Sequence, residues 1–61
     1  MQLIYQTIQA LAFDSVAATP ERLADETGLE LSEVRVHLTT LLNSAKVSRR
    51  VYGQRIVYFV R

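Results

Sequence analysis

The first thirteen residues contain no charged side chain and carry apolar residues at helical spacing. Ile4, Ile8 and Leu11 recur at intervals of four and three residues, which predicts an amphipathic helix that ends at Asp14–Ser15. Ala12 continues the same helical face, and further apolar residues widen the arc beyond what one packing contact needs: Leu3, Tyr5 and Ala10. The excess arc either meets a second subunit or remains as exposed apolar groups on a simple N-terminal helix.

A second, shorter helix is predicted from Thr19-Pro20 to Gly28, after a short extended stretch at Val16–Ala18. Threonine is a favoured N-cap, and proline is tolerated at the first helical position. Glu21 places a negative charge in the first turn, where the helix dipole favours it. Gly28 is expected to end the helix, since glycine commonly follows a helix in the left-handed conformation. The inner face is predicted to hold Leu23, Ala24 and Thr27.

A third helix follows a short connection, and either Glu30 or Ser32 can cap it. Its predicted core face has spacings of four, three, one and three: Val34, Leu38, Leu41, Leu42 and Ala45. Apart from Val36, the side chains on the opposite face are polar and mostly short. Such a face can approach another surface closely and still form hydrogen bonds.

The period then changes to that of β-structure. The segments 47–52 and 55–60 are rich in valine, isoleucine, tyrosine and phenylalanine, and Gly53-Gln54 between them predicts a two-residue hairpin turn. An isolated hairpin is barely stable, so this one must pack on the helices. Val16–Ala18 is a candidate third strand beside it.

A chain of 61 residues is expected to form one domain over residues 1–61 and to bury only about 60% of its unfolded surface. The absence of cysteine excludes disulfides and thiolate metal sites, and the single histidine excludes a multi-histidine site. A partner chain is the remaining common reinforcement. No apolar run approaches the roughly 20 residues of a membrane span, and the N-terminus lacks the features of a signal peptide. The expected location is the cytoplasm.

No pattern in the chain predicts catalysis. A phosphate-cradling glycine-rich loop and a nucleophile motif are absent from the sequence, and no clustered pair of acids is expected in an evident cleft. Glu26 and Glu30 are four residues apart, but Gly28 breaks the helix between them. We therefore expect no enzyme, no cofactor, no metal and no small-molecule ligand.

The charges are sorted along the chain. Residues 1–34 hold all six acids and one base, Arg22, for a net charge of −5, whereas residues 35–61 hold six bases and no acid, for +6. A cation-rich half is the electrostatic footprint of a phosphate-binding surface. The alternative is two solvated faces of opposite sign that pair with each other.

The order helix, short strand, helix, glycine turn, helix and hairpin resembles the winged helix-turn-helix family across nearly the whole chain. ArsR-type and MarR-type regulators, and small regulators of fimbrial operons, are similar through this region. The matching residues are Thr19-Pro20-Glu21-Arg22-Leu23-Ala24, Gly28-Leu29, Val34, His37-Leu38, Leu41, Val47, Arg49, Gly53, Tyr58 and Val60. The resemblance implies an α+β fold of three helices with a short first strand and a C-terminal β-hairpin wing.

The resemblance also implies a division of roles. Gly28 would form the turn between the second and third helices. The third helix, about residues 32–44, would enter the DNA major groove, and the basic wing, residues 47–60, would lie on the phosphate backbone. The family usually has glycine where this chain has Ala45, and alanine is penalised in a left-handed conformation. The third helix is therefore expected to end differently here, which changes the angle of the wing.

The second strand carries apolar residues on both faces. In the family pattern Tyr58 and Val60 face inward, which leaves Val57 and Phe59 partly exposed. Either this second pair marks an interface, or the first helix covers it.

The side chains on the third helix and the hairpin suit DNA. Arg35 can pair with a guanine edge and Asn43 with adenine, while Arg49, Arg50 and Arg55 flank the turn where cations would meet phosphates. The alternative for these arginines is pairing with acids of the second helix. The residues expected to contact DNA are Arg35, Val36, His37, Thr39, Thr40, Asn43, Lys46, Arg49, Arg50, Tyr52, Gln54 and Arg55.

The leading hypothesis is a sequence-specific DNA-binding transcriptional regulator acting on double-stranded DNA as a homodimer, through the first helix and also the second strand of the hairpin. The alternative is a protein-interaction module or an accessory factor to a larger regulator, since a fold does not fix a function.

Overall fold

The computed structural model describes residues 2–61, so Met1 of the predicted first helix lies outside the described residues. Three helices come first: α1 (Gln2–Phe13), α2 (Pro20–Thr27) and α3 (Leu31–Asn43). The strands β1 (Val47–Tyr52) and β2 (Arg55–Val60) follow as an antiparallel hairpin around Gly53-Gln54. The predicted α+β arrangement of helices followed by a hairpin is confirmed.

The predicted first strand is only a single bridge. Tyr58 of β2 donates its backbone N–H to the carbonyl oxygen of Ala18 at 2.9 Å. This single bridge does not extend into a ladder between the two segments. Only three residues separate left-handed Ser15 from Thr19, which already caps α2. A longer strand does not fit into that connection.

The core lies between the three helices and one face of the hairpin. α1 packs against α2, α3 and β2, and α3 also contacts α2 and β1. The buried apolar residues are Ile4, Ile8, Leu11, Ala18, Leu23, Val34, Leu38, Leu41, Val47, Val57 and Tyr58. The predicted core positions of all three helices are confirmed except at Ala12 and Ala45, which are exposed.

Each helix of the described chain is followed, within two residues of its end, by a left-handed residue: Ser15 (φ 59°), Gly28 (φ 76°) or Ala45 (φ 58°). After α3, Ala45 N–H donates to the carbonyl of Leu42 and Lys46 N–H to that of Leu41, both at 3.0 Å. These two bonds form a Schellman motif, which satisfies carbonyls that the helix leaves without partners. The expectation that alanine would make α3 end differently is wrong.

The start of α3 differs from that of α2. Glu30 occupies the N-cap position with an extended backbone, but its side chain makes no capping hydrogen bond, and Ser32 lies inside the helix. Among the described residues, no helix combines the length and apolar character that crossing a membrane requires.

The middle of β2 is covered on both faces, since the neighbours Val57 and Tyr58 are both buried, which corrects one expectation. Val57 was expected to be partly exposed, yet it is only 7% exposed, and its strand neighbour Phe59 is half-buried. The connection after α1 accounts for this burial, because Val16 and Ala17 lie beside Val57 and line a groove with it on the outer side of the hairpin. The cover is thus the end of α1 and the segment that follows it.

Candidate nucleic-acid interface

Strand alternation and register decide which arginines of the hairpin face the helices. Arg49 pairs with Tyr58, which belongs to the core, so the two side chains share the helix-facing side. Arg50 pairs with Val57 and lies on the opposite side. Neighbouring arginines of one strand therefore serve different surfaces.

A polar cleft of about 450 Å³ lies where the start of α2, the exposed side of α3 and the hairpin meet. We call it the arginine cleft. Its lining residues are Thr19, Pro20, Glu21, Arg35, Thr39, Arg49, Gln54, Arg55, Ile56 and Tyr58. Five of the residues expected to contact DNA are thus brought together from separate elements: Arg35, Thr39, Arg49, Gln54 and Arg55.

The cleft is predominantly cationic. Arg35 comes from α3, Arg49 from β1 and Arg55 from β2, against the single carboxylate of Glu21. Between described residues, every side-chain hydrogen bond involves a threonine hydroxyl, so the guanidinium groups remain available to an external acceptor. A concave site lined by one sign of charge concentrates the field and attracts counter-ions.

The start of α2 forms one wall of the cleft, which the sequence analysis did not include in the site. Thr19 caps the helix, since its Oγ1 accepts from the backbone N–H of Arg22 at 3.2 Å. The Thr19-Pro20 cap pattern predicted a helix N-terminus, and such a terminus carries partial positive charge. That pattern could have identified the start of α2 as a candidate anion site, but only the folded arrangement brings it beside Arg35 and Arg49.

Fewer hydrogen-bond donors on the polar side of α3 are available to a ligand than the sequence indicated. The hydroxyls of Thr39 and Thr40 donate to the carbonyls of Arg35 and Val36, at 3.0 and 3.2 Å. In this arrangement each hydroxyl can only accept a hydrogen bond from a ligand, which suits base amino groups and does not suit phosphate oxygens. His37 and Thr40 are half-buried, whereas Val36 is 65% exposed.

The remaining predicted residues lie outside the arginine cleft. Arg50 and Tyr52 line a separate shallow groove with Ser48 and Phe59 on the outer side of the hairpin. Asn43 ends α3, and Lys46 follows the left-handed residue that terminates it. The site predicted from the sequence therefore divides into one cleft, the exposed side of α3 and an outlying part of the hairpin.

Comparison with protein-family models, with curated proteins and with solved structures finds no match to this chain.

Proposed function

We propose that this chain is a winged helix-turn-helix domain that binds double-stranded DNA as a sequence-specific transcriptional regulator. In this proposal α2, the turn at Gly28 and α3 form the helix-turn-helix. α3 is the recognition helix, and the hairpin β1–β2 is the wing. The observation that carries the proposal is the arginine cleft, because it lies between the recognition helix and the wing.

A DNA phosphate would fit the cleft by charge and by geometry. Guanidinium groups bind phosphate oxygens through paired N–H donors, and three arginines line the cleft. Arg35 and Arg49 face it directly, whereas Arg55 lines its edge from the first position of β2. The carboxylate of Glu21 opposes an anion, so the net excess of two cations, and not the full three, attracts the phosphate. A phosphate held there would anchor the backbone beside α3.

Base recognition is assigned to the exposed residues of α3. Val36, Thr39 and Asn43 follow one another at spacings of three and four, so they share one helix face, and all three are exposed. Asparagine pairs with the adenine edge, and an apolar side chain contacts the thymine methyl group. The exposure of Val36 on an otherwise polar side of α3 suits such a methyl contact.

The test compares two neighbouring arginines of β1 that face opposite sides. We expect Arg49→Ala to weaken binding to all duplexes and to lower the salt dependence by about 0.9 on a log–log plot, the loss of one phosphate contact. Fluorescence anisotropy with mixed-sequence duplex DNA over a range of salt concentrations measures both quantities. Both arginines are exposed, so neither substitution removes core packing.

Arg50→Ala is the matched control, because it removes the same charge from the same strand but lies outside the cleft. It should reduce affinity and slope less than Arg49→Ala does. Equal losses, or a larger loss for Arg50→Ala, would show that the cleft is not the phosphate site. If the parent chain binds no DNA even at low salt while a stoichiometric protein partner co-purifies, the protein-interaction module becomes the better account.

A further inference from the structure

A second concave surface lies on the outer side of the hairpin, where the end of α1 and the following connection approach β2. It is a groove of about 510 Å³, and we call it the outer groove. Its apolar lining includes Ala12, Val16, Ala17, Val57 and Phe59, and its single charged lining residue is Arg55. Arg55 lines both this groove and the arginine cleft, but the apolar residues of the outer groove have no part in the proposed contact with DNA.

An apolar knob stands directly beside the groove. Phe13 is the last residue of α1 and is 90% exposed, although phenylalanine is among the residues most often buried. Its neighbour Ala12 lines the outer groove, but adjacent residues of a helix do not face each other. Val16 N–H donates to the Leu11 carbonyl at 2.8 Å and closes this helix end, and Phe13 lies outside the lining of its own groove.

We propose that the chain forms a two-fold homodimer in which Phe13 of each protomer enters the outer groove of its partner. A two-fold interface requires one surface that is complementary to itself. A knob and a groove that adjoin each other on the same molecule meet that requirement, because the rotation exchanges them. A second copy of the chain would therefore bury both Phe13 and the outer groove of each protomer.

The size of the groove fits this occupant. A closed apolar cavity of about 150 Å³ is enough to bind benzene, so the more open outer groove has room for a phenylalanine ring. Each ring buries about 150–250 Å² when it enters such a site. With facing groove surfaces of similar size, two rings give a total interface of roughly 600–1,000 Å², which lies below the standard size of stable interfaces and corresponds to a weak, reversible dimer.

Charge does not oppose the contact. The described residues of α1 carry no charged side chain, and the acids of the first half of the chain begin only at Asp14. Arg55 also lines the arginine cleft, which places it at the edge of the groove and not at its centre. The dimer needs no DNA, so this inference stands independently of the proposed function.

Sedimentation equilibrium without DNA tests the proposal. Over micromolar to submillimolar concentrations, we expect the parent chain to show a reversible monomer–dimer equilibrium. Phe13→Ala should raise the dimer dissociation constant at least about tenfold, as the loss of a central aromatic anchor does. Val51→Ala is the matched control, because Val51 is also an exposed apolar residue but pairs with Ile56 on the helix-facing side of the hairpin; it should dimerise as the parent does.

A variant of the groove makes the test sharper. Ala17 is exposed, lies outside the helices and lines the outer groove, so Ala17→Glu blocks the groove while leaving Phe13 in place. Each variant alone should lose both contacts of the dimer. A mixture of Phe13→Ala with Ala17→Glu should recover one contact, since the first supplies an intact groove and the second an intact knob.

The mixed dimer should therefore be tighter than either variant alone. The proposal is overturned if the parent stays monomeric throughout, if Phe13→Ala dimerises like the parent, or if the mixture associates no better than its components. A monomeric parent would leave the groove to a different partner. Because no DNA is present, none of these results bears on the arginine cleft.

Discussion

Ser15 and Ala45 are left-handed although both carry a side chain. Such a backbone costs roughly 1–2 kcal/mol for a residue other than glycine. At Ala45 the two hydrogen bonds of the Schellman motif oppose that cost, and they direct the chain into β1, whose first residue Val47 is buried. The sequence-based expectation failed here because it weighed the local penalty without these later contacts.

Ala45→Gly should stabilise the chain by about 0.5–1 kcal/mol. The change relieves left-handed strain of roughly 1–2 kcal/mol, and the greater freedom of glycine in the unfolded chain offsets about 0.4–1 kcal/mol of that. Urea unfolding followed by circular dichroism measures the difference. A destabilised variant would contradict the left-handed assignment of Ala45.

Gly28→Ala is the reciprocal comparison. A Cβ atom placed at Gly28 would meet no other atom within 4 Å, so the substitution adds backbone strain without a clash. The same reasoning predicts that Gly28→Ala lowers the free energy of unfolding by about 1 kcal/mol. Opposite signs at the two helix ends would show that the strain belongs to the conformation and not to the particular helix.

At the scale of elements, residues that restrict the backbone made the fold predictable. Thr19-Pro20, Gly28 and Gly53-Gln54 each allow few conformations, and the structure begins or ends an element beside each of them. The burial of Val57 could not be predicted in this way. It depends on the connection after α1 lying against β2, which is a contact between segments distant in sequence.

Part of the arginine cleft was accessible to the same reasoning. A two-residue turn at Gly53-Gln54 pairs Tyr52 with Arg55 and therefore Arg49 with Tyr58, which the family pattern placed inward. The sequence thus contained the distinction between Arg49 and Arg50. The position of Thr19 and Glu21 could be predicted only in part: the expected pairing of Val16–Ala18 with the hairpin brings Thr19 near β2, but their place beside Arg35 arises only when α2 packs against α3.

Thr19→Ala tests the N-cap of α2, the helix that forms one wall of the arginine cleft. Removing the hydroxyl that accepts from Arg22 N–H should destabilise the chain by about 1 kcal/mol in urea unfolding. Thr19→Ser is the control, since serine keeps the accepting oxygen and should remain within a few tenths of a kcal/mol of the parent. Equal stability of the alanine and serine variants would mean that this hydrogen bond contributes nothing.

At the scale of the whole molecule, the fold converts a charge order along the chain into a charge order in space. The cationic second half, residues 35–61, forms most of α3 and the whole hairpin, whereas α2 carries Glu21, Asp25 and Glu26. The two halves meet at the arginine cleft, where cations outnumber acids. Under the proposed function, a polyanion would approach the cleft side of this small molecule, whose radius of gyration is 10.2 Å.

The most direct measurement of the central claim is the salt dependence of binding of the unmodified chain to mixed-sequence duplex DNA, followed by fluorescence anisotropy. The one phosphate held in the arginine cleft predicts that the logarithm of the binding constant falls with the logarithm of salt concentration at a slope of at least about 0.9, and every further phosphate contact steepens it. Such a result would support DNA as the partner and justify a search for the specific site. Absence of binding at low salt, or binding that does not respond to salt, would contradict the account.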